Sequence, residues 1–552
     1  MLESEKMGLM ENFCECIKKY DDVIIYGYAE IGVCVLDYII DFETSIKIAN
    51  YSGRVKYFAT SFSVAKKTRQ EKKGIKIQCI NDLKEYAKSA LVIIATQEHY
   101  HKEIDCTLRE LGFEHKLFIT HGMYCTMKYQ IEQHKLELNN AIRQYHLNHQ
   151  IKLEQLRKKV EKKQSIKVFF MTHDSAVFGA ESVYRAMEKD PLFKPYIFVV
   201  SRRDVSYANF YEDVLKDINF FIKHGYEVIS GYDEKGNPKD LHEFNPDIIF
   251  YDIPKLYGPA GSFYFRLDQL NWDYLTCYIP YGLYMVDSFY YHYHTTCIRE
   301  TWKFFIDSMA SFKRVLADGD FNGFNTVYSG YPKFDNYLNK GWKLPEKLKN
   351  NKKIVIYAPH HSLGVSNNFA TFDLYKDIIF EYAKNNPDYN FVFKPHPLLP
   401  FQIKARANEG KINFTYEDYE NYLRKWNELP NGMCMTQGDY IGLFNNSSCM
   451  ITDCGSFIGE YLPSNNPCIY LFNPRKKKQM EVYTPLAKKI LDTYYVANTS
   501  EELQEYLNQI IIKGLDTKKP KRRNLIDEEF GNIGKSGRYI YEYIKSVVLG
   551  EG

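Results

Sequence analysis

Paired metal-ligand spacing is missing from this chain: its 12 Cys fall without a C-x-x-C pair or a regular interval across 552 residues. Structural zinc sites draw on paired ligands, so none is expected. The opening MLESEKMGLMENF is acidic and mixed, with no apolar segment of the kind a secretory leader carries. The thiols therefore read as reduced and mostly buried. No apolar run approaches the roughly 20 residues that span a bilayer. An excess of one charge is missing too: Lys+Arg 72 stand against Asp+Glu 69, a formal net charge of +3. That balance excludes a bulk electrostatic footprint for nucleic acid. The expected setting is cytoplasmic, at most peripheral on the inner face of the plasma membrane.

What is present is globular: 45% hydrophobic, 16% aromatic and 26% charged residues. At roughly 100–200 residues per domain, the length implies about three domains. Strand-like apolar runs alternate with helical stretches, the pattern of parallel sheets with crossover helices. Residues 1–125 form a first Rossmann-like unit opened by the strand Val23 to Tyr26. Residues 126–165 are rich in Leu, Gln, Lys and Glu without Pro or Gly, and read as a long polar helix. It serves as a spacer, a packing arm or an oligomer contact. Residues 166–340 form a second α/β unit from IKVFFMTH onward. Residues 341–552 form a third from IVIYAPHHS onward. Two such domains face to face make a cleft, and ligands bind outside the carboxyl ends of the strands.

The candidate site residues follow strands. Gly27, Ala29 and Gly32 resemble the dinucleotide fingerprint, with Ala at the second glycine, and mark a candidate nucleotide or sugar-nucleotide site; a tight turn that binds nothing is the alternative. Lys394 and His396, in KPHP after FVF, place a cation and an imidazole in a proline-fixed loop, suited to phosphate oxygens. In the stretch from Ser447 and Ser448 through Thr452, Asp453, Gly455 and Ser456 to Glu460, a strand leads through a small polar turn into a helix. Ser456 is the natural N-cap, Glu460 is placed to interact with the helix start, and free N–H groups there suit phosphate. His360 and His361, in APHHS, suit a phosphate or acceptor contact. Adjacent side chains diverge in extended backbone, so no metal site is expected from the pair. His173 follows VFFMT beside Gly179, Ala180 and Ser182. CYIPYGLYMVDSFYYHYH concentrates six tyrosines with His292 and His294. RKKK at 475–478 and KKPKRR at 518–523 are local basic clusters suited to an anionic membrane surface.

KPHP followed by ITDCGSFIGEYLPSNNPCIYL, with GYPKFD before them, resembles the CDP-glycerol glycerophosphotransferase family of teichoic-acid primases and polymerases. The resemblance covers about residues 166–545. It implies a GT-B-like pair of domains, with 166–340 taking the acceptor and 341–552 the nucleotide donor. It implies transfer of a polyol phosphate, glycerol- or ribitol-phosphate-like, from a CDP-activated donor to a glycan or lipid-linked acceptor, with no cofactor. His396, Thr452, Asp453 and Ser456 would then line the donor diphosphate. The family's histidine–glycine–threonine–proline motif, which supplies the base, corresponds here to Ile279-Pro280-Tyr281-Gly282. With that His absent, His173 is the first candidate base and His292 the second. An NDP- or CMP-sugar transferase of the same fold and a non-catalytic assembly scaffold are the alternatives.

Overall fold

The computed structural model describes residues 12–17, 19–46, 55–61, 71–72, 75–175, 178–201, 210–252, 265, 267–286, 296–318, 323–338, 344–364, 369–436, 440–476 and 479–551. These fall into two compact units, one reaching to Gln144 and one beginning at Tyr145.

The first unit holds a six-stranded sheet: β1 (Val23–Tyr26), β2 (Val55–Thr60), β3 (Glu71–Lys72), β4 (Ile75–Cys79), β5 (Leu91–Ile94) and β6 (His115–Phe118), in the order β3-β4-β2-β1-β5-β6. All pairs are parallel except β3 with β4. Alternate residues of β1 feed opposite faces: Val23 and Ile25 enter one apolar cluster, Ile24 and Tyr26 the other. Burial on both faces is why the strand reads as an unbroken apolar run. Each such side chain contributes about 1.5–3 kcal/mol. The polar stretch read as a helix is one, of 41 residues from His121 to Glu161. Met123, Met127 and Ile131 pack into the first core.

The second unit holds two sheets. One has seven strands, β7 (Ile166–Thr172), β8 (Phe193–Val199), β9 (Val228–Ser230), β10 (Ile248–Tyr251), β11 (Leu275–Tyr278), β12 (Lys303–Ile306) and β13 (Thr326–Tyr328), in the order β13-β12-β11-β10-β7-β8-β9. The other has six, β14 (Ile354–Ala358), β15 (Asn390–Phe393), β16 (Gly432–Cys434), β17 (Cys449–Thr452), β18 (Cys468–Leu471) and β19 (Tyr495–Ala497), in the order β16-β15-β14-β17-β18-β19. The expected α/β class of several Rossmann-like sheets is what the chain adopts. Each of the three sheets reverses its order beside its first strand, so each has a switch point: β1/β5, β7/β10 and β14/β17. The crevice outside the strand ends at such a point is where ligands of this architecture bind.

The last helix, Ser536–Leu549, returns to the second sheet's domain. The Asp335 carboxylate accepts from the N–H groups of Ser536 and Gly537 at 3.1 and 2.8 Å, and Asp190 accepts from Tyr541 and Lys545 at 2.7 Å each.

Candidate functional site

At the third sheet's switch point, β17 hands the chain directly to Asp453. Its buried carboxylate accepts from the backbone N–H of His360 and from both the N–H and the hydroxyl of Thr371, the last at 2.8 Å. Burial raises this carboxyl to about 6. Asp453 is thus a latch holding the loop after β14 against β17. In that loop the chain turns sharply, with Leu363 N–H donating to the carbonyl of His361 at 2.7 Å. Successive side chains therefore do not alternate, and the expected divergence of His360 and His361 does not occur. Their ring centroids lie 4.2 Å apart, and His361 lies 4.2 Å from His396, which follows β15. One potential ligand atom from each of the three imidazoles lies within 4.8 Å of the others. Burial, then the neighbours His361 and His396, hold His360 well below the ordinary imidazole range. It is therefore neutral.

Lys394, two residues before His396, is buried, and burial lowers its ammonium pKa. It stands 5.8 Å from the ring centroid of Tyr440, whose hydroxyl bonds both Lys333 and Glu460. Lys333 Nζ lies 3.5 Å from Glu460 Oε2, an ion pair joining the segment after β13 to the helix after β17. Gly459 on that helix packs closely against the middle domain: a Cβ there would lie 2.7 Å from Leu283 Cδ1, which would have to shift.

The structure corrects several donor contacts expected from the sequence. Glu460 faces Lys333 and not the start of its own helix. That helix, Gly455–Tyr461, has Cys454 at its N-cap position without a side-chain cap, and exposed Ser456 lies inside the first turn. Thr452 is fully buried, its hydroxyl donating to the carbonyl of Ala358 at 2.6 Å. Ser447 and Ser448 precede β17. They sit at its amino end, about 13 Å from the ligand end at roughly 3.3 Å per residue. There Ser447 Oγ bonds the Phe444 carbonyl, and the Ser448 N–H donates to the carbonyl of Ile354, at 2.8 and 2.7 Å.

In the middle domain, His173 follows β7 and Asp252 follows β10, the two strands of that switch point. Both are buried, and His173 Nδ1 faces Asp252 Oδ1 at 3.6 Å. Neither atom has another hydrogen-bond partner among the described residues. Asp252 Oδ2 accepts from Thr172 Oγ1 at 2.8 Å, which fixes the carboxylate. The Ile279–Gly282 loop runs alongside: Tyr281 N–H donates to the Asp252 carbonyl at 2.9 Å, and Tyr331 Oη donates to the Tyr281 carbonyl at 2.7 Å. A Cβ on Gly179 would stand 3.7 Å from Tyr331 Oη, so Gly179 borders the same crevice. Asp307, directly after β12, is buried, and burial raises its carboxyl to about 6. His292 and His294 lie outside the described residues. Asp252, Asp307 and Lys333 escaped sequence reasoning. The available signal was position: an Asp immediately after each of the strands IIFY and KFFI.

In the first unit, Gly27 has φ +112°, and a Cβ there would meet the Ala95 carbonyl oxygen at 2.5 Å. A Cβ on Gly32 would stand 1.9 Å from the Gly27 carbonyl oxygen. The turn and the helix–strand packing therefore demand both glycines without any ligand. Ala29 precedes the helix Glu30–Ile46, whose first residue bonds Tyr124 Oη and Lys128 Nζ at 2.6 and 3.0 Å. The exposed Glu30 carboxylate thus adds a negative charge at the helix start, where phosphate would bind.

Among the described residues of the basic clusters, several cations have partners within the chain, and Lys477 and Lys478 lie outside the described residues. Arg522 is fully buried, bonded to Asp516 and to the carbonyls of Asn465 and Thr493. Lys521 pairs with Asp492, Arg523 with Asp527 at 3.2 Å, and Arg475 with Asp373 at 2.7 Å. Arg522 is an internal staple, whereas Lys521, Arg523 and Arg475 form ion pairs that stay exposed. No helix among the described residues is long and apolar enough to cross a membrane.

Residues 299–546 match the model of the family described as CDP-Glycerol:Poly(glycerophosphate) glycerophosphotransferase. The minor teichoic acid biosynthesis protein GgaB of Bacillus subtilis (strain 168) is 22% identical over 378 residues, 62% of this chain. The chain spans 37% of that relative's length. Among solved structures, UDP-GlcNAc 2-epimerase of Neisseria meningitidis bound to UDP-GlcNAc aligns with TM-score 0.46 at 12% identity, over 69% of this chain and 100% of that one. A variant of the wall teichoic acid polymerase TagF aligns with TM-score 0.44 at 13% identity, over 73% and 98%.

Proposed function

We propose, for a chain whose residues 299–546 match the model of the CDP-glycerol glycerophosphotransferase family, that it transfers a polyol phosphate from a CDP-activated donor to a hydroxyl of a glycan or lipid-linked acceptor in surface-polymer synthesis. One observation carries the reading. The two switch points of the second unit hold complementary chemistry. The third sheet presents His360, His361, His396 and the buried Lys394, groups that donate to phosphate oxygens. The middle sheet presents a buried imidazole facing a buried carboxylate at 3.6 Å.

The donor diphosphate lies at the imidazole cluster, with the polyol-bearing phosphorus toward the middle domain. The acceptor hydroxyl gives its proton to His173 Nε2, while Nδ1–H points at Asp252, which stabilises the imidazolium. The acceptor oxygen forms a bond to that phosphorus, and the bond from phosphorus to the bridging oxygen breaks. The nucleoside monophosphate leaves with the electron pair. Charge on the leaving phosphate is met by Lys394 and His396. Catalytic hydrogen bonds are often long before substrate binds, so the 3.6 Å gap is consistent with a pair that closes in the complex. The base that the family places near Ile279–Gly282 is here replaced from the next strands, beside the same loop.

The test is release of CMP from CDP-glycerol and CDP-ribitol, and of UDP from UDP-GlcNAc, with a hydroxyl acceptor. Turnover of a CDP-polyol, with His173→Ala and His396→Ala each reduced at least about 100-fold in a folded protein, supports the reading. Turnover of the UDP-sugar alone makes it a sugar transferase. No turnover of any donor by wild type favours a scaffold.

A further inference from the structure

We propose that His360, His361 and His396 form a binding site for a divalent transition cation of the zinc class, the cluster that the turn after β14 and the KPHP loop after β15 bring together. Imidazole nitrogen is a preferred ligand for zinc, copper, nickel and cobalt. One ligand atom from each ring lies within 4.8 Å of the other two. Zinc binds imidazole at about 2.0–2.1 Å, and tetrahedral ligands then stand about 3.4 Å apart. Closing the cluster therefore takes a movement of roughly 1 Å, within reach of ring rotation. Three nitrogens leave a fourth position open, which is the pattern of reactive rather than structural zinc.

The surroundings fix the ring orientations. Ser362 Oγ lies 2.9 Å from His360 Nδ1 and accepts from the Phe369 N–H at 3.0 Å. Ser362 N–H donates to His360 Nδ1 at 3.3 Å, so in the neutral ring Nδ1 accepts and Nε2 carries the proton. The Asp453 carboxylate accepts the His360 N–H, placing a negative group behind the site. His396 is held between Pro395 and Pro397, and its N–H donates to the Pro359 carbonyl at 3.1 Å, tying the two loops together. Two contacts oppose ligation: Ser362 N–H donates to His360 Nδ1 at 3.3 Å and Leu398 N–H donates to His396 Nδ1 at 3.1 Å. Ligation through Nε2 moves a proton to Nδ1 in each ring and gives up those bonds. The opposite assignment, N–H groups aimed at an oxyanion, is the outcome the experiment must separate. On the donor reading above, the open position takes a phosphate oxygen of the nucleotide. Cation binding itself does not depend on that reading.

The full chain is stripped with chelator and titrated with cobalt(II), followed by its visible absorption, and with zinc by calorimetry, in the absence of any nucleotide. One equivalent of each is expected, with zinc abolishing the cobalt bands. His361→Ala and His396→Ala should each weaken uptake at least about tenfold, since losing even an outer-shell partner costs that much. His224→Ala, in the turn after the middle domain's helix Phe210–Lys223, should leave uptake unchanged. The absence of stoichiometric uptake overturns the proposal. So does uptake unaltered in folded His361→Ala and His396→Ala proteins. Inorganic pyrophosphate is titrated into the same stripped proteins. Pyrophosphate binding that needs both histidines, without cobalt uptake, makes the cluster an anion site and also overturns the proposal. Should the alanine variants unfold, the wild-type cobalt spectrum decides: bands of nitrogen ligation support the site and their absence removes it.

Discussion

Arg522→Met separates a surface patch from an internal staple. In KKPKRR the sequence offers a cation to a membrane; in the fold Arg522 has no exposed surface and its guanidinium bonds Asp516 and the carbonyls of Thr493 and Asn465, the latter two at 3.2 and 3.0 Å. Met keeps the length and apolar stem but supplies none of those donors. Asp516, with 15% of its side chain exposed, is left to find water, which limits its cost. The two carbonyls lose a charged donor in a dry site, at about 1–3 kcal/mol each. Release of the guanidinium's own desolvation penalty offsets part of this, yet breaking a buried pair by removing one partner costs about 3–5 kcal/mol in total. At roughly 2–4 °C per kcal/mol for a domain of this size, the melting midpoint should fall by about 10 °C. Differential scanning fluorimetry and binding to anionic vesicles are measured together. A midpoint within a degree of wild type, with vesicle binding reduced, would refute the reasoning and restore the membrane patch.

Four further outcomes follow from the same geometry. Asp252→Ala should lower turnover about as far as His173→Ala does, and the double variant should fall no further, because the two act as one unit; additive losses measured in kcat would separate them. Asp453 and Asp307 have folded-state values raised by burial to about 6, above the ordinary carboxyl value of 3.8. The folded state thus holds the extra proton, and the stability these groups contribute is present below about pH 4 and lost as pH rises through 6. Asp453→Asn should remove its share of that slope, and melting curves that stay parallel to wild type across pH 4–7 would count against it. Gly32→Ala, which places a Cβ 1.9 Å from the Gly27 carbonyl oxygen, should destabilise the first unit while leaving transfer chemistry in the second intact, as read by limited proteolysis beside a turnover assay. Glu460→Gln should weaken the Lys333 pair and the Tyr440 hydroxyl bond, lowering donor affinity by a severalfold factor in calorimetry; unchanged affinity would leave that network purely structural.

Sequence alone determined the elements and the sheet class. Unbroken apolar runs such as VIIY, LVII and IVIYA can bury both faces only inside a parallel sheet covered by helices, and the chain obeys that demand three times. It also located KPHP, APHHS and His173 after strands, because a residue that follows a parallel strand must emerge at the ligand end. Side-chain partners were beyond its reach. Asp453 reads as a ligand residue and is a latch, since only the fold places the His360 and Thr371 donors against its carboxylate. Ser447 and Ser448 belong to the same motif but lie at the opposite end of β17, a distance that sequence proximity hides. Glu460 and Lys333 are 127 residues apart in the chain and meet only when the two domains dock. The meeting of His360 and His361 with His396, and of His173 with Asp252, was decided by strand order: parallel neighbours β14/β15 and β7/β10 bring together loops that the sequence separates by whole crossover units. Periodicity and composition act over a few residues and are written along the chain. Convergence of functional groups is set by register and by order reversal at a switch point, which only the packed sheet fixes.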